Sequence, residues 1–316
     1  MFRTKPQIAL GMVDRAMAHG ISVRAWTFDE AYGRDTAFLD GLEERRQVFV
    51  AEVPTNFHGW VIRPRVLGDG PSPRRGRKKK YPRLARRRPS SEVQNLLRYS
   101  PTFRTQKWQR YRVKDTERGP EVWEVKWVVF WRKGSNGLPG RRHCLIVARN
   151  VLTNEAKYFV SNRVPGEPGI TLRLLRVAFQ RWSVESCFRQ AKEELGLDHY
   201  QVRGWRCLHR HFYLTQLSHL FCARMRQKFD AATPHDDPLE HLTTEQVRRA
   251  MNAWLEAAAG RLTQTERFER ELAKQRYYER RNAQARRSHT KTRKARLKAI
   301  GIEVDSIKSC IPRSAG

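Results

Sequence analysis

TLRLLRVAFQRWSVESCFRQAKEELGLDHYQVR, residues 171–203, is the stretch from which the rest of the chain can be ordered. Gly169 precedes it, and Thr171 is placed to cap a helix start. Gly196 follows Leu195 and can take the left-handed conformation that ends a helix, so the pattern predicts helix to that point. On a wheel of 3.6 residues per turn, Arg181, Glu185 and Lys192 fall within about 40° of one another. Val184, Phe188, Ala191 and Leu195 form a separate apolar stripe beside them. One helix thus carries a core-facing stripe and, along its edge, a carboxylate between two cations. Such a row suits a solvated, salt-bridged surface worth a few tenths of a kcal/mol. That surface reading is the one the wheel alone favours; a charged site at the rim of a core is the alternative, and other parts of the chain bear on the choice.

The 316-residue chain carries 63 Lys and Arg against 32 Asp and Glu, a formal net charge of +31. An excess of this size implies a polyanionic partner, nucleic acid first and an anionic membrane surface second. The sequence has no run of about 18 apolar residues and no signal-peptide pattern at its start, which argues against the membrane. Cys144, Cys187, Cys207, Cys222 and Cys310 are odd in number and have no closely spaced pair. They give no sign of a disulfide framework or thiolate zinc site, and most of them are read as small core residues of a cytoplasmic chain.

Residues 5–19 have a helical apolar pattern around Ile8, Met12 and Ala16, and residues 21–28 alternate like a strand ending at Asp29. Residues 36–45 read as a second helix and 47–53 as a second strand. Helix, strand, helix, strand with short connections predicts an α/β layer with a parallel sheet. Asp29 then lies at a strand's C-terminal end, where open α/β sheets place ligand sites. Residues 71–89, PSPRRGRKKKYPRLARRRP, form a proline-punctuated basic block suited to phosphate contact, with Arg77, Lys78, Lys79 and Lys80 at its centre. Residues 122–131, 143–151 and 157–161 read as strands. Trp123, Trp127 and Trp131 fall on one face, suited to stacking on bases or, as preferred, to sheet packing. Beyond the central helix, residues 206–227 and 243–259 read as packing helices, and 263–297 as a helix that becomes overwhelmingly basic. His209, His211 and His219 lack the spacing of a helical zinc motif and suit structural or DNA-facing roles.

Taken together, FDEAYG at residues 28–33 and RWSVE at 181–185, with Lys192 and then GLDHY at 196–200, resemble the DDE transposases of bacterial insertion sequences. The resemblance is to the group with a Y-R-E-K signature around the catalytic glutamate, and extends over essentially the whole chain. It implies an RNase H-like fold in which Asp29 is the second aspartate and Glu185 the glutamate, both metal ligands and catalytic, with Mg²⁺ (or Mn²⁺) as cofactor. Arg181 and Lys192 match the arginine and lysine as DNA contacts, whereas Ala178 stands where the tyrosine is expected. The family's first aspartate belongs to a strand upstream of the helix that residues 5–19 resemble. The expectation is therefore an N-terminally truncated transposase, impaired in two-metal cleavage and strand transfer.

The expected fold is α/β, an RNase H-like core incomplete at the N-terminus, with a β-rich insertion and a helical, basic C-terminal region. The expected divisions are residues 1–55 for the partial core, 56–168 for the insertion with its basic loop, 169–228 for the glutamate helix and its packing helix, and 229–316 for the basic helical region. The implied partner is DNA, at insertion-sequence ends and target, with no membrane and with two copies meeting at synapsis. The implied location is the bacterial cytoplasm, on the nucleoid. A non-catalytic DNA-binding remnant is the alternative. A basic RNA-associated structural protein accounts for the charge, but not for the pairing of the two acidic motifs.

Overall fold

The computed structural model describes residues 2–68, 82–86, 88–116, 118–166, 169–232, 242–258 and 265–311. The chain divides into two compact units, Met1–Arg181 with Arg293–Gly316, and Trp182–Thr292.

The first unit begins with α1 (Lys5–Ala18), opened by a capping box in which Thr4 accepts from the Gln7 amide and the Gln7 side chain accepts from the Thr4 amide. β1 (Trp26–Phe28), α2 (Glu30–Gly33), α3 (Thr36–Glu44) and β2 (Phe49–Val53) follow, with β1 parallel to β2. β1 is shorter than the alternation over residues 21–28 predicts. Ile21 is 57 % exposed, so the pattern there has no buried face to register against. In α1 it is Val13, with Ala9 and Leu10, that packs on the core, whereas Ile8 and Met12 are 47 % and 56 % exposed.

β3 (His58–Trp60), β4 (Val66–Leu67), β5 (Arg83–Leu84), β6 (Ser91–Glu92), α4 (Val93–Tyr99) and α5 (Pro101–Arg104) lead into the long strands β7 (Gln109–Thr116), β8 (Gly119–Lys133), β9 (Pro139–Asn150) and β10 (Ala156–Ser161). α6 (Ile170–Gln180) closes this run. One sheet has the order β1-β2-β10-β9-β8-β3-β6, with β7 also paired to β8 and β11 (Lys308–Ser309) to β7, while β4 and β5 pair separately. The sheet is mixed rather than parallel: only β1–β2 and β7–β11 are parallel. Short turns dictate this outcome, because β8, β9 and β10 follow one another through tight connections that reverse the chain. Asn154, at φ +58°, takes the left-handed position in the second of these turns.

Strand parity sorts the core into two layers. Phe49, Ala51, Val128, Phe130, Leu145, Val147, Tyr158 and Val160 face α1, α3, α4 and α5. Their neighbours Val50, Trp123, Val125, Cys144, Ile146, Ala148 and Phe159 face Leu174, Leu175 and Ala178 of α6. Trp123 therefore belongs to the packed face, its ring 4.9 Å from that of Phe179, an arrangement worth about 1 kcal/mol beyond area burial. Both strand faces are covered, which is why 143–151 and 157–161 read as nearly continuous apolar runs.

The second unit is helical. α7 (Trp182–Leu195) packs with α8 (Trp205–Ala232) and α9 (Thr244–Ala258), and α10 (Thr265–Ala299) starts here and ends in the first unit. The predicted single helix over the opening stretch is interrupted for one residue at Arg181, which keeps right-handed torsions of φ −51° and ψ −36°. Gly169, not Thr171, caps its start, and Gly196 ends it at φ +68° as the sequence predicts. Ala191 is buried, but Val184 and Phe188 of the predicted stripe are each about half exposed. Among the described residues no helix is long and apolar enough to cross a membrane.

Candidate active site

The local structure of FDEAYG explains each residue of the motif. Asp29 follows β1 in extended conformation and caps α2, its Oδ1 accepting from the amides of Ala31 at 3.1 Å and Tyr32 at 3.3 Å. Tyr32 turns its ring back between Phe28 and Phe38, with centroids 6.0 and 5.3 Å away. Gly33 ends the turn against β2: a Cβ there would stand 1.8 Å from the Glu52 carbonyl oxygen. Only glycine permits that approach. The turn is thus clamped at both ends, and the Asp29 carboxylate is held at the C-terminal end of β1.

A second carboxylate lies on the neighbouring strand: Phe28, the last residue of β1, pairs with Ala51, and Glu52 follows Ala51 in β2. Glu52 is 8 % exposed; Lys157 Nζ donates to its Oε1 at 2.9 Å, and Arg181 Nε lies 3.6 Å from its Oε2. Sequence reading missed Glu52, whose cationic neighbours come from β10 and from the residue after α6. The only available signal was a lone Glu in the apolar run FVAEV.

Arg181 closes the first unit, while Glu185, in the first turn of α7, and Lys192, in its last, belong to the second. Glu185 and Lys192 are both exposed. Arg77, Lys78, Lys79 and Lys80 lie outside the described residues. Within the second unit, His211 Nε2 meets the Gly196 carbonyl at 2.9 Å, His219 meets Gln190 and Cys187, and the His209 ring lies 4.1 Å from that of Trp205. These are structural contacts, in keeping with the spacing argument against a zinc motif.

A hard divalent cation takes carboxylate oxygens, and the donor type at Asp29, Glu52 and Glu185 suits one. The number does not: among the described residues no group of three His, Cys, Asp or Glu is gathered to hold a metal ion.

A denser charged cluster sits on the opposite face of the sheet. Arg132, 1 % exposed, donates through Nη2 to Asp40 and through Nη1 to the Thr36 carbonyl at 3.2 Å. His143, fully buried, meets Glu43 Oε1 at 2.5 Å and the Arg141 carbonyl at 2.8 Å. Burial drives the Glu43 carboxyl upward, but the His143 hydrogen bond and the charges of His143, Arg132 and Arg141 outweigh it and leave Glu43 below the usual carboxylate range. This cluster fastens α3 to β8 and β9.

The fold and site define a mixed α/β protein with an acidic residue presented at a strand end by a clamped turn. Residues 1–120 match the model of the DDE superfamily endonucleases, which supports a family of the DDE transposase type. The matched residues include Asp29 and the whole FDEAYG turn. No curated protein matches the chain.

Proposed function

We propose that the chain acts on DNA as a protein of the DDE transposase type, with Asp29 and Glu185 as its metal carboxylates. Arg181 and Lys192 contact phosphates, the arginine as a fork and the lysine as a point charge. The observation that most supports this reading is Asp29, held by two amides at the end of β1 within the segment matching the DDE endonucleases. The net charge of +31 agrees with a nucleic-acid substrate.

In this reading the layers built on β1 and β2 are part of an RNase H-like core, and Arg181, Glu185 and Lys192 are the R, E and K of the signature. Mg²⁺, when bound to a full carboxylate set, supplies charge stabilisation for phosphoryl transfer and activates the attacking oxygen. The residues of this chain contribute fixed carboxylates and phosphate contacts.

Cleavage of the DNA flanking the coding sequence, assayed with Mg²⁺ and Mn²⁺, tests the assignment. Asn is as good a helix cap as Asp, so Asp29→Asn keeps the turn while removing the carboxylate charge. Wild type should give metal-dependent cleavage that Asp29→Asn and Glu185→Gln each abolish. Equal cleavage by the two variants and wild type would refute the carboxylate roles. Salt-sensitive DNA binding without cleavage under any of these conditions supports the alternative, a non-catalytic remnant.

A further inference from the structure

A cavity of about 350 Å³ opens in the first unit, lined by Arg34, Thr36, Asn56, His58 and Lys133 over a floor of Pro54 and Phe57. Five separate elements supply this lining: the end of α2, the start of α3, the loop from β2 into β3, the start of β3, and the end of β8. Residues so far apart in the chain meet only through the fold, and nearly every polar one is a donor or can become one.

The charge balance there is unusual for a protein surface. The side chains of Arg34 and Lys133 make no hydrogen bond or ion pair among the described residues. Among the described residues no carboxylate lines the cavity, and of its lining side chains only His58 forms an ion pair, with Glu92 at 4.0 Å. By contrast, Arg110, Arg112, Arg141, Arg149 and Lys157 of the same unit each meet a carboxylate. A guanidinium and an ammonium left unpaired over a concave, carboxylate-free wall form a receptor for an anion. The Thr36 hydroxyl and the Asn56 amide add neutral donors, as phosphate oxygens require.

The position of the cavity relates it to Asp29. Arg34 is the residue after α2, so one short turn, about 7.5 Å of helix rise, separates it from the Asp29 cap. The cavity has room for a phosphate with its attached sugar. A phosphate held there would fix a DNA strand alongside the carboxylate.

We propose that Arg34 and Lys133, with Thr36, Asn56 and His58, form a seat for one backbone phosphodiester of a DNA strand. The seat rests on the DNA reading given above, but it assigns a contact that neither the acidic motifs nor the basic block of residues 71–89 supplies.

The test is fluorescence anisotropy of a short labelled duplex across a salt series, with the full chain and with Arg34→Ala/Lys133→Ala. Releasing one phosphate contact makes the slope of log K against log salt shallower by about 1. The charge-retaining Arg34→Lys/Lys133→Arg should restore most of it. Both side chains are exposed and unpartnered, so the melting temperature of the double alanine variant should match wild type and exclude misfolding as the cause. An unchanged slope in the alanine variant, with wild type binding normally, overturns the seat and leaves the DNA reading standing. If wild type itself fails to bind DNA at low salt, the DNA reading falls and the seat falls with it.

Discussion

Gly33→Ala tests the clamp behind Asp29 most directly. The added methyl carbon would lie 1.8 Å from the Glu52 carbonyl oxygen and 2.9 Å from its carbonyl carbon. Both are backbone atoms of a central strand paired on two sides, so the strand cannot yield cheaply. The glycine amide donates to the Asp29 carbonyl at 2.8 Å, so moving α2 outward also breaks the turn. Overpacking of this kind costs about 1–3 kcal/mol when side chains can shift, and a clash with backbone belongs at the top of that range. For a unit of roughly 200 residues, about 3 kcal/mol lowers the melting temperature by roughly 6–12 °C. Calorimetry on wild type and variant reads the shift directly. The Asp29 cap is lost together with the turn, so any metal-dependent cleavage should fall by more than the folded fraction. A melting temperature within about 1 °C of wild type, given the several degrees expected per kcal/mol, would show that α2 does not rest on β2 as described.

The remaining predictions concern the charged cluster and the cap. Arg132→Ala leaves the buried Glu43 without one of its cations and frees Asp40, and should cost about 3–5 kcal/mol in urea unfolding; a loss below about 1 kcal/mol would deny the cluster a structural role. Glu43 is held below its ordinary value in the folded state, so the unfolded chain takes up the proton first. The stabilisation from that charge is present above the unfolded carboxyl pKa of about 4.3 and is lost as pH falls through the folded value. The stability gap between wild type and Glu43→Gln should therefore narrow below that pH, and a constant gap down to the acid transition would contradict the pairing. Asp29→Ala should cost about 1 kcal/mol through loss of the cap, whereas Asp29→Asn should cost a few tenths.

What could be read from the sequence depended on the reach of each interaction. β1, α3 and β2 carry their own periodicity, and Asp29 at the end of a strand follows from local pattern alone. Gly196 at the end of α7 was equally visible, because a left-handed cap is a one-residue event. The interruption at Arg181 was not, since Gln180-Arg181-Trp182 contains no glycine or proline to mark it. The mixed sheet was hidden for a related reason: the first two strands are parallel, and the turns that reverse the later ones lie more than 80 residues downstream. Glu52 gained its meaning only from Lys157 and Arg181. Glu43 gained its own from Arg132 and His143, partners that no window of sequence brings together. Arg34, His58 and Lys133 are unremarkable among 63 basic residues until the fold sets them around one cavity.

The Asp29 cap divides one side chain between two duties. Oδ1 is committed to the amides of Ala31 and Tyr32, so the carboxylate's torsions are already fixed. Oδ2 takes no hydrogen bond among the described residues and, in the proposed metal-ligand role, would be the oxygen left for a cation. The rotamer entropy of that group is thus spent in folding, and in that role a cation would meet an oxygen already fixed in place. The same division makes glutamate a poor substitute despite its equal charge: one more methylene moves the oxygen that holds the turn and the oxygen that would face the ligand at the same time.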